Sequence, residues 1–580
     1  MKPLGPRLTA TLLRPALVPF LATKLANADV IYQNDGCRKS TADVLQEWAY
    51  QVPRVSDQPA RFLERKKKFH AERYGGSGLL SNGGGARCGL SKNIQIKGIG
   101  PNPLVGEGTD YWYANGAMSL ADALKEAVWG EVLPLALPFG GVPVLAVIAT
   151  GTKCRTMGPR GTRVSVPRGL VVRQNAIRAG HFERATYFRP QAAFKSMLPS
   201  DTERVRAMIK SLPNALSCYA TPTELAAFSD PIERTHELLA RFASRVAIQL
   251  ATSKAKRIMH GGLSSSNISV DGRWLDYGSI SSLPGFANTG NYDPSFWLEH
   301  TIVGEMFRSL AFFCGKYLIT GSPRFSGFDD IDAHFDRHYV KHLHHQFALL
   351  AGYPEMAVSG DASRTSMLQL GEILVQLAKA GTEKPFRGAT CALRHYGAFR
   401  LGEILEASAQ SGSRSDRERR IAPHIADVRL RGTFIARASA VAESAEAEGN
   451  SQGVSTIAVR QLATLNAAKS AAVLPEIFEP TLASDLARLV AESGDARMLS
   501  DKFRQLVGQV TDSARVAFER ATSWQALCFK RGANQVTYDA AADVWHAKGP
   551  NGCATFQEFP KSLHECLTHC APAFTDVRRQ

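Results

Sequence analysis

Residues 259–279 read MHGGLSSSNISVDGRWLDYGS. A His-Gly pair opens the run, Asn267 follows Leu-Ser-Ser-Ser, and a strand-like Val-Asp-Gly-Arg-Trp-Leu ends in Asp276-Tyr277-Gly278. A turn-rich segment that spaces an amide and a carboxylate in this way can bring both side chains to one point. A divalent cation bound to nucleotide phosphates requires just such a point. Asn267 and Asp276 are therefore candidate metal ligands, and the fold turns on whether the flanking sequence supplies the rest of a phosphate cradle.

On both sides of the motif the apolar spacing is helical. Residues 200–258 and 295–350 predict amphipathic helices, as in PIERTHELLARFASRVAIQLATSKAKRIM. Residues 70–180 differ, because short strand-like runs are punctuated there by glycine. YGGSGLLSNGGGARCG precedes the strand NIQIKGIG, and such a loop lets backbone N–H groups approach phosphates with no Cβ in the way. A flexible surface hairpin has the same composition. SLADALKEAVWGEVLPLAL then lays Leu120, Leu124, Val128 and Val132 along one helical face with Glu126 and Glu131 beside it, and the apolar strand VPVLAVIAT follows. A lysine on a strand and a glutamate on the next helix can orient an ammonium over nucleotide phosphates, so Lys97 and Glu126 are a candidate pair, with a surface ion pair as the plainer alternative. The basic stretch GPRGTRVSVPRGLVVRQNAIRAGHFERA carries Arg173 and Arg178, whose guanidinium forks suit phosphate oxygens; a solvated basic face is the alternative. A strand-rich part, then a helical part, with the motif loop inside the latter, is the order of a kinase-like two-lobe α+β fold.

Composition sets the outer limits. A chain of 580 residues is too long for one core, and 44% hydrophobic with 21% charged residues is ordinary for a folded, soluble protein rather than a disordered one. The formal net charge of +16 favours anionic partners, namely nucleotide phosphates, acidic proteins, nucleic acid or a membrane surface. The ten cysteines are dispersed, as in reduced intracellular proteins, and only the tail HECLTHC clusters Cys566 and Cys570 with His564 and His569. That tail reads as a zinc site or as a fraying amphipathic helix. The opening MKPLGPRLTATLLRPALVPFLATKLANADV lacks acids before Asp29, as targeting signals do, yet prolines and Lys24 interrupt its apolar run well short of the roughly 20 residues that span a bilayer. No other stretch is long and apolar enough to cross a membrane, and the expected location is cytoplasmic rather than mitochondrial or secreted.

These segments, in this order, resemble the selenoprotein-O family of protein adenylyltransferases. PLGPRLTATLLRPALVPFLATKL resembles the family's opening, which argues against a cleaved signal. NGGGAR stands where the family has LGDGRA, and IQIKGIGPNPL where it has LKGAGxTPY. ANGAMSLADALKEAVWGEVL, VVRQNAIRAGHFE and HGGLSSSNISVDGRWLDYG match three further segments, the last being the most specific. The resemblance covers about residues 1–285. It implies a kinase-like fold that binds ATP with Mg2+ or Mn2+ and transfers AMP to Ser, Thr or Tyr hydroxyls of protein substrates, with no specific nucleic-acid partner. It also implies Lys97 and Glu126 as phosphate-orienting groups, Gly83, Gly85 and Arg87 as the glycine-rich loop, and Asn115 and Gly116 as a nucleotide contact. Arg173 and Arg178 follow as phosphate binders, and Asn267 and Asp276 as the metal ligands.

Departures accompany the match. Ser266 occupies the position of the family's proposed general base, an aspartate, and a serine hydroxyl is no useful proton acceptor near neutral pH. Asn115 replaces an acid, and Arg173 and Arg178 are two residues closer together than in the family. His260 and Asp271 are the substitute bases within reach in sequence, although a histidine that opens such a loop commonly serves as a structural hydrogen-bonding group. The alternatives to AMP transfer are a pseudoenzyme scaffold that binds nucleotide and a kinase that moves the γ-phosphate.

The expected organisation is an N-terminal extension over 1–70, a nucleotide-binding lobe over 71–165, a helical lobe with the metal loop over 166–380, and a helical region over 381–580. Within the last, SGSRSDRERR reads as an exposed loop, and ASAVAESAEAEGNSQG as a stretch ending in a flexible break.

Overall fold

The structure is a computed structural model. It describes residues 6–556 except 55–60, 80, 158–161, 284, 287–295, 320–326, 359–360, 381–399, 410–412, 472–473, 519–526, 532–533, 540–541, 543 and 550–551. One antiparallel sheet of eight strands organises the first part of the chain. Its members are β1 (Leu17–Leu25), β2 (Asp29–Gln33), β3 (Tyr50–Gln51), β4 (Phe62–Glu72), β5 (Cys88–Ser91), β6 (Ile94–Lys97), β7 (Val144–Met157) and β8 (Arg163–Gln174). They lie in the order β2-β7-β8-β6-β5-β4-β1-β3.

Alternation along β6 decides what each face carries. Ile94 and Ile96 join Phe69, Ile148, Leu170 and Val172 in one apolar cluster. Gln95 and Lys97 turn to the other face, because successive strand side chains point to opposite sides. On that face the Leu120–Ala136 helix packs against β7 and β8. Ser119 caps the helix by accepting the N–H of Asp122 at 3.0 Å.

Four of the strands, β1 to β4, come from the stretch set apart above as an extension over 1–70, the last running on to Glu72. β1 runs antiparallel along β4 from Leu17 opposite Glu72 to Leu25 opposite Phe62. Pro19 and Lys24, which help to make this stretch look like an interrupted signal, sit within β1, while Pro6 opens a short helix and Pro15 lies in the turn before the strand; the Lys24 amine bonds the Leu45 carbonyl. The sheet likewise runs past residue 165, since β8 continues to Gln174.

The helical part holds the motif. Helix Pro231–Ala255 packs on Ile331–Ala348, which packs on Asp361–Ala380. Strands β9 (Ile258–Met259) and β10 (Ser281–Ser282) pair and close the ends of the motif loop. Glu299, at the start of helix Glu299–Leu318, pairs with Lys254 and accepts the N–H of Gly261 at 2.8 Å.

The C-terminal part corrects two readings. SGSRSDRERR supplies a helix, Arg414–Ile421, in which Ser413 and Asp416 form a capping box. A charged stretch without apolar periodicity hides a helix that its cap and the buried Ile421 stabilise. The region is also not helical throughout. After helices Glu479–Glu492 and Ala496–Phe518 come four antiparallel strands, β11 (Leu527–Arg531), β12 (Asn534–Asp539), β13 (Val544–Gly549) and β14 (Gly552–Phe556). The HECLTHC tail lies outside the described residues. Among the described residues no helix is long and apolar enough to cross a membrane.

Candidate active site

Lys97 ends β6 only 2% exposed, and its amine donates to both Glu126 and Asp276. Glu126 is fully buried, so the surface-ion-pair reading is excluded. Arg173 stands on the neighbouring strand β8, opposite Gln95. Its Nη1 lies 3.4 Å from Glu126 Oε2 and 3.6 Å from Asp276 Oδ1. Two strands, one helix and the motif loop thus bring Lys97, Arg173, Glu126 and Asp276 to one place.

Asp276 has φ +64 and ψ 72, a left-handed conformation that costs a non-glycine residue roughly 1–2 kcal/mol. Its neighbours hold it there. The Leu275 N–H donates to the Asn267 carbonyl at 2.9 Å, and the Tyr277 hydroxyl donates to the Val142 carbonyl at 2.7 Å. The strained turn aims the carboxylate at the cations while leaving its side chain 29% exposed, against 3% or less for Lys97, Arg173 and Glu126. Burial acts to raise its pKa, but Lys97, Arg173, Arg178 and Arg87 hold it well below the usual carboxylate range.

Arg178 joins the group through Gln95. Gln95 Oε1 accepts from Arg173 Nε at 2.7 Å and from Arg178 Nη2 at 3.3 Å, while its amide donates to Glu72. Arg178 also bonds the Ser266 carbonyl and lies 4.9 Å over the Tyr74 ring. Its backbone N–H donates to His181 Nδ1 at 2.8 Å. Burial, with Arg178 and Arg204 beside it, keeps His181 neutral. Burial likewise raises the pKa of Glu72, against the pull of Arg178, Gln95 and Arg173. Gln95 and Glu72 were missed in the sequence; the available signal was the position of Gln95 two residues before Lys97 on a strand, hence on the same face. Arg173 Nη2 and Arg178 Nε have no hydrogen-bond partner among the described residues.

The glycine-rich stretch does two jobs. Gly75–Gly78 lies against the motif loop: a Cβ on Gly76, at φ +104, would stand 1.9 Å from Ser265 Oγ, and one on Gly78 would stand 2.4 Å from Ser264 Oγ. Gly83 and Gly85 instead stitch the loop to its surroundings, through N–H bonds of 2.9 Å to the Leu104 and Glu72 carbonyls. Arg87 lies 5.7 Å over the Tyr113 ring. Burial acts to lower its pKa, but Asp276, Cys88 and Glu126 raise it on balance, which places it in the field of the cluster. Asn115 and Gly116 form a turn. Asn115 Oδ1 accepts the Ala117 N–H at 2.7 Å, and a Cβ on Gly116 would strike Gly100 at 2.1 Å.

Asn267 is oriented by its own loop, since Nδ2 donates to the Gly262 carbonyl at 2.7 Å and Oδ1 accepts from the Ser266 hydroxyl at 3.5 Å. Ser266 Oγ lies 2.7 Å from Ser264 Oγ and 3.5 Å from Asn267 Oδ1. The two substitute bases are otherwise engaged. His260 is fully buried, with Nε2 2.9 Å from the Leu275 carbonyl and its ring edge-on to Trp274. Asp271 is paired with Arg273 at 2.7 Å.

The donor set fits a hard cation held jointly with a ligand. No group of three or more His, Cys, Asp or Glu able to hold a metal occurs among the described residues. Mg2+ requires none, since it takes one or two carboxylates and completes its shell with phosphate oxygens and water. Asp276 and Asn267 carry hard oxygen donors on one loop, and the guanidinium groups of Arg173 and Arg178 are of a kind that suits phosphate oxygens.

Residues 77–307 match the family described as Protein adenylyltransferase SelO. The chain is 28% identical over 240 residues to the protein nucleotidyltransferase YdiU of Bradyrhizobium sp. (strain ORS 278), covering 41% of this chain and 39% of that one. It is 27% identical over 255 residues to YdiU of Vibrio cholerae serotype O1, covering 42% and 44%. YdiU of Bacillus cereus matches at 24% over 239 residues. The chain thus spans about two-fifths of the length of the curated relatives it matches.

Proposed function

We propose, from the kinship of residues 77–307 with the SelO family, that this protein is a nucleotidyltransferase. It binds ATP with Mg2+ or Mn2+ and transfers AMP to Ser, Thr or Tyr hydroxyls of protein substrates. The sheet and the helical part act as the two lobes of a kinase-like fold, with the nucleotide between them. The observation that carries this reading is the convergence of Lys97, Glu126, Arg173 and Asp276 on one point, tied through Gln95 to Arg178.

The chemistry follows from the charges. Glu126 orients Lys97, and Gln95 orients both guanidinium groups, so the cationic donors are placed before any ligand arrives. Preorganisation of this kind stabilises charge that builds on transferring phosphates without reorganisation during the reaction. Asp276 and Asn267 would hold a divalent cation, which would supply further neutralisation of the phosphates. The substrate hydroxyl oxygen bonds to the α-phosphorus, the bond to the bridging oxygen breaks, and pyrophosphate leaves. The hydroxyl proton passes to solvent, because Ser266 accepts none. A general base contributes typically 10²–10⁴-fold, so transfer is slow while electrostatic stabilisation persists.

The test is incubation of the pure protein with ATP labelled separately at the α and γ positions, with Mg2+ or Mn2+, following covalent label on the protein and on a lysate. Label from α alone is the expected result. Label from γ alone, or from neither despite ATP binding, overturns the assignment.

A further inference from the structure

The helix that carries Glu126 is gripped from the far end of the chain. Lys125, its immediate neighbour, is 5% exposed, and its amine lies 3.0 Å from Glu479 Oε1 in the first turn of helix Glu479–Glu492. The backbone N–H of the same Glu479 donates to Ser281 Oγ at 2.9 Å, in β10 just beyond Asp276. One residue therefore ties together the two segments that present the two carboxylates of the cleft. The grip extends along the helix. Glu131 accepts from the Tyr32 hydroxyl at 2.5 Å, and the Tyr32 ring meets Phe503 edge-on at 5.5 Å. At the helix end, the Lys256 amine bonds the Ala136 carbonyl at 2.6 Å and lies 3.4 Å from the Phe518 carbonyl.

Successive residues of an α-helix point about 100° apart, so Lys125 faces the C-terminal helices while Glu126 faces the sheet. Rotating or sliding the helix to bring Glu126 off Lys97 would also break Lys125 from Glu479 and leave a buried ammonium unpaired, a costly state. The position of Glu126 is thus coupled to the seating of the C-terminal helices.

We infer that residues 475–518 form an intramolecular brace that holds the Glu126 helix in its nucleotide-competent position, with Lys125 and Glu479 as positioning residues. The inference rests on the reading of the cleft as a MgATP site. It gives the C-terminal half a role in the chemistry without placing any of its residues on the substrate.

The test uses the full chain with Lys125→Glu, Glu479→Lys and the two combined. Each single change is expected to weaken MgATP binding by about tenfold, and the charge-swapped pair to recover to within about threefold of the parent. Amide hydrogen exchange in residues 120–136 should quicken in each single variant and return in the pair. Where a charge reversal prevents folding, Lys125→Met removes the pair without burying like charges, and the same tenfold loss is expected. Unchanged affinity and exchange in the single variants, or a loss that the combined variant does not restore, overturns the brace. If the parent protein binds MgATP but transfers no label, only the transfer reading fails, and the affinity series still decides. If the parent binds no MgATP, the cleft reading fails, and the exchange series alone decides.

Discussion

Two buried lysine–carboxylate centres lie within the same fold and differ in kind. Lys254 and Glu299 form a balanced pair, both side chains fully buried, with the Lys254 amine 4.2 Å over the Phe296 ring. Glu299 spends its other oxygen on the Gly261 N–H, so the pair anchors the base of the motif loop. The cleft centre is unbalanced. Lys97, Arg87, Arg173 and Arg178 gather around Glu72, Glu126 and Asp276, one carboxylate remains partly open to solvent, and two guanidinium nitrogens lack a hydrogen-bond partner among the described residues. A one-to-one pair completes itself and serves architecture. An excess of oriented cations around a partly open carboxylate differs from such a pair in charge and exposure, and it is this difference that the proposed nucleotide site rests on.

The sharpest way to break this distinction is Asp276→Ala. Metal-dependent nucleotide binding should be abolished, measured by titration with MgATP against ATP in chelator, while the thermal midpoint changes less than in a Lys254 variant. Normal MgATP binding by the alanine variant would make the cleft another structural pair. Next in size, Lys254→Met strands Glu299 in the interior and should cost about 3–5 kcal/mol of unfolding free energy, read from denaturant midpoints. A Lys254→Met/Glu299→Leu double change should recover much of that loss, because replacing a whole buried pair by apolar groups is often neutral.

Ser266→Asp sharpens the comparison from the chemical side. It places a proton acceptor beside Asn267 and should raise transfer of α-label by about tenfold or more, with little change in MgATP affinity. A fall in rate would show that this position does not face the acceptor hydroxyl.

The smallest effect is a pH dependence common to both centres. Burial lowers the pKa of His181, beside Arg178, and of His260, in the loop that Glu299 anchors. Their folded pKa values lie below the unfolded value of about 6.5, so the unfolded chain binds more protons on acidification. Stability should therefore be complete above about pH 6.5 and fall as the pH drops below it. Denaturant midpoints at pH 8 and pH 5.5 check this, and His181→Asn should flatten part of the slope.

Much of the site was legible because its parts are local. Apolar alternation in IQIK places Lys97 on one face, helical spacing in LADALKEAV predicts the element that presents Glu126, and the motif's turn residues bring Asn267 and Asp276 onto one loop. The contribution of Gln95 was hidden, since a glutamine on a strand carries no signal until its two arginine partners are placed beside it. The first strand was obscured by its likeness to a signal, and β11–β14 by their position after two long helices.

By itself, the order of residues determined the types of side chain and the periods of the elements that carry them, because those follow from backbone geometry over a few residues. Only the tertiary structure decided that Asp276 adopts a left-handed turn, that Gln95 holds both guanidinium groups, and that Glu479 reaches Lys125. These depend on contacts between segments far apart in the chain, whose free energy appears only when burial removes water and leaves each charge to find its partner inside the fold.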